Sequence, residues 1–188
     1  MRWTRRQKLH QEELTVYQAL GDQRERAVTL GDIIARIKVS KGEVDEAPKP
    51  HQEELTAYQA LGDQRERAVT LGDIARIKVS KGEVDEAPKL HQEELTAYRL
   101  GDQARAAVTL GDIARIKVSR AAEVDEALKL HQEELTVYQA LGDQRERAVT
   151  LGDIARIKVS KGEVDEALKL HQDRLTVFKP WATSASGR

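Results

Sequence analysis

The fold is decided by residues 61–87, LGDQRERAVTLGDIARIKVSKGEVDEA, in which the tripeptide Leu-Gly-Asp occurs twice, at 61–63 and 71–73. Asp63 is a suitable N-cap, and Glu66 three residues later would complete a capping box. Gly82 is placed to adopt the left-handed conformation that closes a helix. The pattern predicts a first helix, helix A, over about residues 64–81, with the second Leu-Gly-Asp inside it.

The residues after Gly82 predict a second helix, helix B. Glu83, Asp85 and Glu86 suit the positive end of a helix dipole. In the last copy of this segment the apolar face has offsets of 3, 4, 7, 11 and 14, which are helical; its members are Val164, Ala167, Leu168, His171, Leu175 and Phe178. Nothing in the sequence alternates with period two, so each segment is predicted to be a helix hairpin.

The whole chain is this hairpin copied. HQEELT begins at His10, His51, His91 and His131, and the variant HQDRLT begins at His171, giving spacings of 41, 40, 40 and 40 residues. We predict a partial N-terminal repeat with an orphan helix B (1–22), four repeats (23–61, 62–100, 101–141 and 142–179) and a disordered tail (180–188). Stacked repeats of this kind contact only their neighbours.

Composition excludes several classes of function. The 188 residues carry a formal net charge of −1, so no strong field would attract nucleic acid or an anionic membrane. There is no cysteine, which excludes disulfides and cysteine-based metal sites. No segment has the ~18–20 apolar residues that a membrane span needs. The N-terminus lacks the apolar run of a secretory signal, and we expect a cytoplasmic location.

The repeat resembles the tetratricopeptide repeat (TPR), in its longer bacterial form of about 40 residues. Ala68, Leu71, Ile74 and Ala75 match the packing positions of helix A, and Gly82 matches the glycine between the helices. The resemblance implies an all-α chain, an α-solenoid of stacked antiparallel helix hairpins wound as a right-handed superhelix.

Three residues depart from the family pattern. Lys78 stands where the family usually has tyrosine, His91 where it has an aromatic residue, and Glu94 where it has alanine. Prolines at 48, 50 and 88 lie in helix B, so we expect that helix to begin late or bend in the first repeat. Ala121 and Ala122 replace the turn glycine of the third repeat, where the two helices could become continuous.

We predict no catalytic residue, no metal site and no cofactor. All five histidines occupy one repeated position, which is typical of packing, whereas a catalytic histidine needs a unique constellation around it. His91 and Glu94 resemble half of a metal site, but Arg174 replaces the glutamate in the last copy. The glycines are too far apart for a phosphate-binding loop. The enzyme hypothesis is therefore disfavoured.

The A helices carry the candidate binding site. In tetratricopeptide arrays they line the concave groove along which peptides lie, so the resemblance implies that this surface binds a protein or peptide partner. The groove residues implied are Asp32, Arg36, Val69, Gly72, Asp73, Arg76, Val79, Gly111, Asp112, Arg115, Val118, Gly152, Asp153, Arg156 and Val159. Such a ladder of acids and bases would match a peptide of mixed charge, with the helical glycines giving a ligand chain room for close approach. The alternative is a solvated charged face whose pairs contribute only tenths of a kcal/mol.

Two questions stay open at the sequence level. The chain is either a free-standing interaction scaffold or a regulatory or sensor segment of a larger signalling protein. The last helix B has no capping helix after it, which leaves three alternatives: Phe178 and Trp181 fold over the open end, two copies associate through it, or the chain is part of a longer array.

Overall fold

A computed structural model describes residues 2–31, 48–99 and 101–185 of the chain. The described residues form nine α-helices and no strand. The helices are α1 (Arg2–Leu20), α2 (Gln23–Val28), α3 (Pro48–Leu61), α4 (Gln64–Ser80), α5 (Ala87–Tyr98), α6 (Gln103–Val118), α7 (Val124–Leu141), α8 (Gln144–Ser160) and α9 (Val164–Ala185). Helix A of the repeats is α2, α4, α6 and α8, and helix B is α1, α3, α5, α7 and α9.

The helices belong to two compact units, Met1–Tyr98 and Arg99–Arg188. In the first unit each helix from α1 to α5 packs on the next one along the chain, and in the second unit α6 to α9 do the same. This sequential packing confirms the predicted class, an all-α solenoid of stacked helix hairpins. The predicted repeat boundaries remain predictions.

Small residues let the helices of each hairpin approach closely. In the second repeat Ala68, Ala75 and Ala87 are completely buried, and Leu71 fills the space between the helices at 1% exposure. The positions predicted for helix-A packing therefore form the core.

The N-caps form as predicted, but with one half of the capping box. Asp63 Oδ1 accepts the Glu66 backbone N–H at 3.2 Å, while the Asp63 N–H donates to the Tyr58 carbonyl at 3.0 Å and is satisfied there. Asp102 Oδ1 likewise accepts the backbone N–H of Arg105 at 3.0 Å. The cap survives without a glutamate because it needs only a backbone donor.

The turns between helices A and B differ in one repeat. Gly82 has φ +79°, the left-handed closing conformation that was predicted. The expectation that Ala121 and Ala122 could make the third hairpin one continuous helix is wrong. Arg120 is extended, with φ −113° and ψ 107°, and a single 3₁₀ turn (Ala121–Glu123) leads into α7.

Proline also delays helix B of the second repeat. The later copies α7 and α9 begin at Val124 and Val164, whereas α5 begins at Ala87, three positions further into its repeat. Pro88 then lies in the first turn of α5. Backbone N–H groups there have no partner within the helix, so the absence of the proline N–H removes no hydrogen bond. The expectation for the first repeat falls on the residues before Pro48, and residues 32–47 lie outside the described part of the chain.

The last helix extends beyond its predicted end at Lys179-Pro180. α9 continues to Ala185, so residues 180–185, which were predicted to be disordered, are helical. Pro180 removes one backbone donor, and that loss does not by itself end the helix. Residues 186–188 and the side chains of Phe178 and Trp181 are outside the described part.

Candidate functional site

The predicted groove residues of the second unit lie together. Arg115, Val118, Asp153 and Arg156, all predicted, line a cavity of about 220 Å³ on α6 and α8. Three residues outside the prediction complete the lining: His131, Ile157 and Ser160. The sequence signal for Ser160 was its recurrence at the end of each helix A, whereas the repeated histidine was assigned to packing alone.

Four charged residues form a continuous ladder along this surface. Arg115 Nη1 donates to Asp112 Oδ1 at 3.0 Å within α6, and Arg115 Nη2 donates to Asp153 Oδ2 at 3.3 Å on α8. Arg156 donates in turn to Asp153. Acid and base thus alternate across two repeats, from Asp112 to Arg156.

Burial divides the ladder into fixed and accessible groups. The side chain of Asp153 is only 6% exposed, while those of Arg115 and Arg156 are 48% and 75% exposed. Val118 and Val159 are also exposed. The surface therefore presents two guanidinium groups beside small apolar side chains, held in place by a buried carboxylate.

The first unit shows one part of the same pattern. Arg76 Nη2 donates to Asp73 Oδ1 at 2.6 Å, Val79 is exposed and Val69 is half-buried. Asp32 and Arg36 lie outside the described residues.

The helical glycines do not leave free surface for a ligand chain. Gly72, Gly111 and Gly152 are buried, and a Cβ built on Gly72 would lie 2.5 Å from Glu94 Oε1, on the partner helix B. A Cβ on Gly111 would lie 2.5 Å from Glu134 Oε1 in the same way. The space beside Gly72 and Gly111 holds a carboxylate of the same hairpin, and the space beside Gly152 holds the Arg174 guanidinium, which corrects the expectation of close approach by a ligand.

The repeated histidine is the hydrogen-bonding partner of the buried carboxylate. His91 Nδ1 lies 2.7 Å from Glu94 Oε2, and both residues are buried, at 1% and 5% exposure. His131 with Glu134 and His51 with Glu54 repeat the contact at 2.7 and 2.8 Å. A buried carboxylate needs such a hydrogen-bonding partner. His91 and Glu94, two of the departures from the family pattern, thus form one hydrogen-bonded pair. The pair needs a glycine at the facing position of helix A, because a Cβ there would overlap the carboxylate.

Lys78, the third departure from the family pattern, stabilises the turn of the hairpin through ion pairs. Lys78 Nζ contacts Glu83 Oε2 at 2.9 Å and Glu86 Oε2 at 2.5 Å, and Lys117 with Glu123 and Glu126 repeats the arrangement. Hydrogen bonds that Lys78 donates to the carboxylates of Glu86 and Glu83 raise the pKa of Lys78. Hydrogen bonds from Lys81 and Lys78 lower the pKa of Glu83. Both groups are therefore ionised at neutral pH.

Metal and membrane chemistry find no support in the described residues. Among residues 2–31, 48–99 and 101–185, no three histidines or carboxylates are arranged to hold a metal ion. In the same part of the chain, no helix is both long and apolar enough to cross a bilayer.

Comparison with known proteins agrees with this architecture. Residues 105–179 match the family model of the tetratricopeptide repeat. Among curated proteins, none matches the sequence significantly.

Solved structures share the fold at low sequence identity. BtubC (BKLC) from P. vanneervenii has a TM-score of 0.76 at 16% identity, covering 94% of this chain and 74% of that one. A chain of nearly identical TPR-like repeats from Podosopora anserina has a TM-score of 0.66 at 16% identity, with 96% of both chains covered.

A third similar structure is a Signal Transduction ATPase with Numerous Domains (STAND) protein with a tetratricopeptide repeat sensor, from Pyrococcus horikoshii. Its TM-score is 0.76 at 17% identity, and the match covers 96% of this chain and 28% of that one. These likenesses show the fold, and the family match shows the repeat type. The predicted resemblance is thereby confirmed: residues 105–179 match the tetratricopeptide repeat, and the similar solved structures include chains with repeats of that type.

Proposed function

We propose that this chain is a non-catalytic interaction scaffold that binds a protein or peptide along the groove of its A helices. Tetratricopeptide arrays commonly serve as such scaffolds. The observation that carries the proposal is the charged ladder of Asp112, Arg115, Asp153 and Arg156, of which the last three line one cavity.

The ladder favours a ligand that carries carboxylates next to small apolar side chains. A guanidinium has five N–H donors, so Arg115 and Arg156, whose side chains are 48% and 75% exposed, can donate to a ligand carboxylate while they stay bonded to Asp153. Guanidinium groups bind carboxylates through two parallel hydrogen bonds, which fixes the direction of the ligand chain. Asp153, buried between the two arginines, keeps both in position.

The alternative is that the ladder is a solvated face that binds nothing. The cavity argues against it, because Val118, Ile157 and His131 give the two arginines an apolar background that a solvated face would not need. The same proposal includes a cytoplasmic location. It includes no role in binding nucleic acid, since the formal net charge is −1.

A second candidate function is a sensor segment within a larger signalling protein. The observation that favours it is the likeness to the STAND protein, in which the matched part is 28% of the chain. A reading frame that continues in phase upstream of Met1 would support it, and a genuine start site there would favour the free-standing scaffold.

The groove is tested with Arg115→Glu combined with Arg156→Glu. The matched control is Arg145→Glu, which makes the same change at an exposed position on α8 that does not line the cavity. Affinity purification from the native cell extract, followed by mass spectrometry, should recover partners with the wild type and the control. The double variant should lose those partners with its helicity unchanged by circular dichroism. Equal recovery by all three proteins would refute the groove as the binding site.

A further inference from the structure

The cavity between α6, α7 and α8 has a floor of buried groups and an accessible rim. At the floor, His131, Asp153 and Ile157 are 1%, 5% and 3% exposed. At the rim, Arg115 and Val118 are 48% and 40% exposed. The volume of about 220 Å³ is smaller than the ~300–1,000 Å³ of pockets that enclose drug-sized ligands. The cavity therefore has room for one side chain of a partner, entering past the rim.

His131 has one ring nitrogen to offer an occupant. Its Nδ1 lies 2.7 Å from Oε2 of Glu134, which is buried beside it. An ionised carboxylate only accepts hydrogen bonds, so the proton is assigned to Nδ1, and Nε2 of the neutral ring is an acceptor. Among the side chains described in the second unit, none donates to this Nε2. An occupant that covered the nitrogen without donating to it would bind less favourably.

The other polar groups of the lining are acceptors at the floor and donors at the rim. The Ser160 hydroxyl donates to the Ile157 carbonyl at 2.7 Å, so its oxygen lone pairs are what it offers to the cavity. Asp153 also only accepts, and its two oxygens receive Arg115 and Arg156. The side-chain donors left for an occupant are these two guanidinium groups. The floor thus selects a side chain with a hydrogen-bond donor at its tip.

Size and charge narrow the choice of side chain. Lysine or arginine would bring a further positive charge to a rim of two arginines, and a carboxylate would bring acceptors to a floor of acceptors. Phenylalanine or leucine would leave Nε2 unpaired, and serine or threonine would leave most of the cavity empty. Tyrosine brings an apolar ring against Val118 and Ile157, a hydroxyl that donates to Nε2, and a π face for the Arg115 guanidinium.

We propose that the cavity is an anchor site for a tyrosine side chain of the partner, whose hydroxyl donates to Nε2 of His131. Carboxylates of the same ligand bind Arg115 and Arg156 at the rim. This inference rests on the proposed function, since it names one residue of the ligand that the groove binds. The preference for tyrosine comes from the histidine–glutamate pair, because the carboxylate fixes the tautomer that makes Nε2 an acceptor. His91 forms the same pair and does not line this cavity.

The test compares two probes that differ by the hydroxyl alone, N-acetyl-tyrosinamide and N-acetyl-phenylalaninamide. Saturation-transfer NMR on the full chain observes the ring protons of the probe, so the near-identical repeats need not be resolved. The tyrosine amide should bind about 10-fold more tightly than the phenylalanine amide, because only it pairs with Nε2. The corresponding amides of tryptophan, glutamine and glutamate should bind more weakly than the tyrosine amide.

A double variant assigns the preference to His131. His131→Phe with Glu134→Ala keeps an aromatic ring at the floor, removes Nε2 and leaves no buried carboxylate without its partner. In this variant the two probes should bind with similar Kd. The matched control is His91→Phe with Glu94→Ala, the same change in the first unit, where the 10-fold preference should remain. The comparison on the wild type needs no variant and holds whether or not the variants fold.

Three results would overturn the proposal. The first is equal affinity of the wild type for the two probes, or no binding of the tyrosine amide. The second is tighter binding of any other probe. The third is a preference for tyrosine that survives in a folded chain with His131→Phe and Glu134→Ala, because the hydroxyl would then bind elsewhere.

Failure of this inference is distinguishable from failure of the scaffold function. If Arg115→Glu with Arg156→Glu loses the captured partners while the wild type shows no tyrosine preference, the groove function stands and the tyrosine site is refuted. If the tyrosine preference depends on His131 while the partners are captured equally by all proteins, the tyrosine site stands and the groove is refuted as the surface that binds those partners.

Discussion

Gly72→Ala should destabilise the second repeat, although alanine is the better helix former. On propensity alone the change would gain about 1 kcal/mol. The new Cβ, however, would lie 2.5, 2.7 and 2.8 Å from Oε1, Cδ and Oε2 of Glu94. The carboxylate is buried and bonded to His91, so it cannot swing into solvent without losing that bond.

The magnitude follows from these opposing terms. Overpacking a tight site costs about 1–3 kcal/mol, and a buried polar group that loses its partner costs a further ~1–3 kcal/mol. Against the ~1 kcal/mol gained in propensity, the net loss should be about 1–5 kcal/mol. Since repeat arrays fold through nearest-neighbour terms, the loss should be local. Hydrogen exchange of the α4 and α5 amides, with urea denaturation alongside, measures it.

The chain supplies its own control at Gly152. There the nearest atom to a built Cβ is Arg174 Nη1 at 3.1 Å, the end of a long side chain that can move. Gly152→Ala should therefore be neutral or stabilise by up to ~1 kcal/mol. In a Glu94→Ala background, Gly72→Ala should likewise become favourable. If Gly72→Ala stabilises the wild-type chain as much as Gly152→Ala does, the steric argument is refuted.

Two further predictions concern the turns and caps. Lys78→Met should lower the melting temperature by an amount that is constant between about pH 5 and pH 10. This difference in melting temperature should disappear in acid, as Glu83 is protonated below its ordinary pKa of 4.5. It should also disappear in alkali, above the raised pKa of Lys78, which is ordinarily 10.5. A difference that persisted at both extremes would contradict the ion-pair interpretation. Asp143→Ala should destabilise α8 by about 1 kcal/mol by removing the acceptor of the Glu146 N–H. Circular dichroism melts check this against Asp165→Ala as control, and equal melts would contradict the cap.

The sequence was sufficient for the fold because each element is fixed by local chemistry. Asp63 caps α4 with its own side chain, and Gly82 closes the turn with its own backbone. The third turn was harder to predict, since the extended backbone of Arg120 depends on how two helices must meet. Ala121 and Ala122 carry no signal for that geometry.

The candidate site was less predictable because its contacts are not local. Arg115 and Arg156 were identified through the family resemblance, yet the contact from Arg115 to Asp153 joins residues 38 positions apart. The role of Gly72 was misjudged for the same reason. From the sequence the glycine looked like open backbone, and only the partner helix shows that Glu94 occupies the space.

The contact of glycine with the histidine–glutamate pair also bears on how this array could change in length. Gly72 and Glu94 recur as Gly111 and Glu134, so an exchange between matching segments would join helices that already fit each other. Whole repeats could therefore be gained or lost by recombination with no new contact to be evolved. The last helix is the exception, because Arg174 meets Gly152 and no glutamate stands beside His171. Exchange of this kind should thus favour the repeats in which the helix-A glycine faces a glutamate.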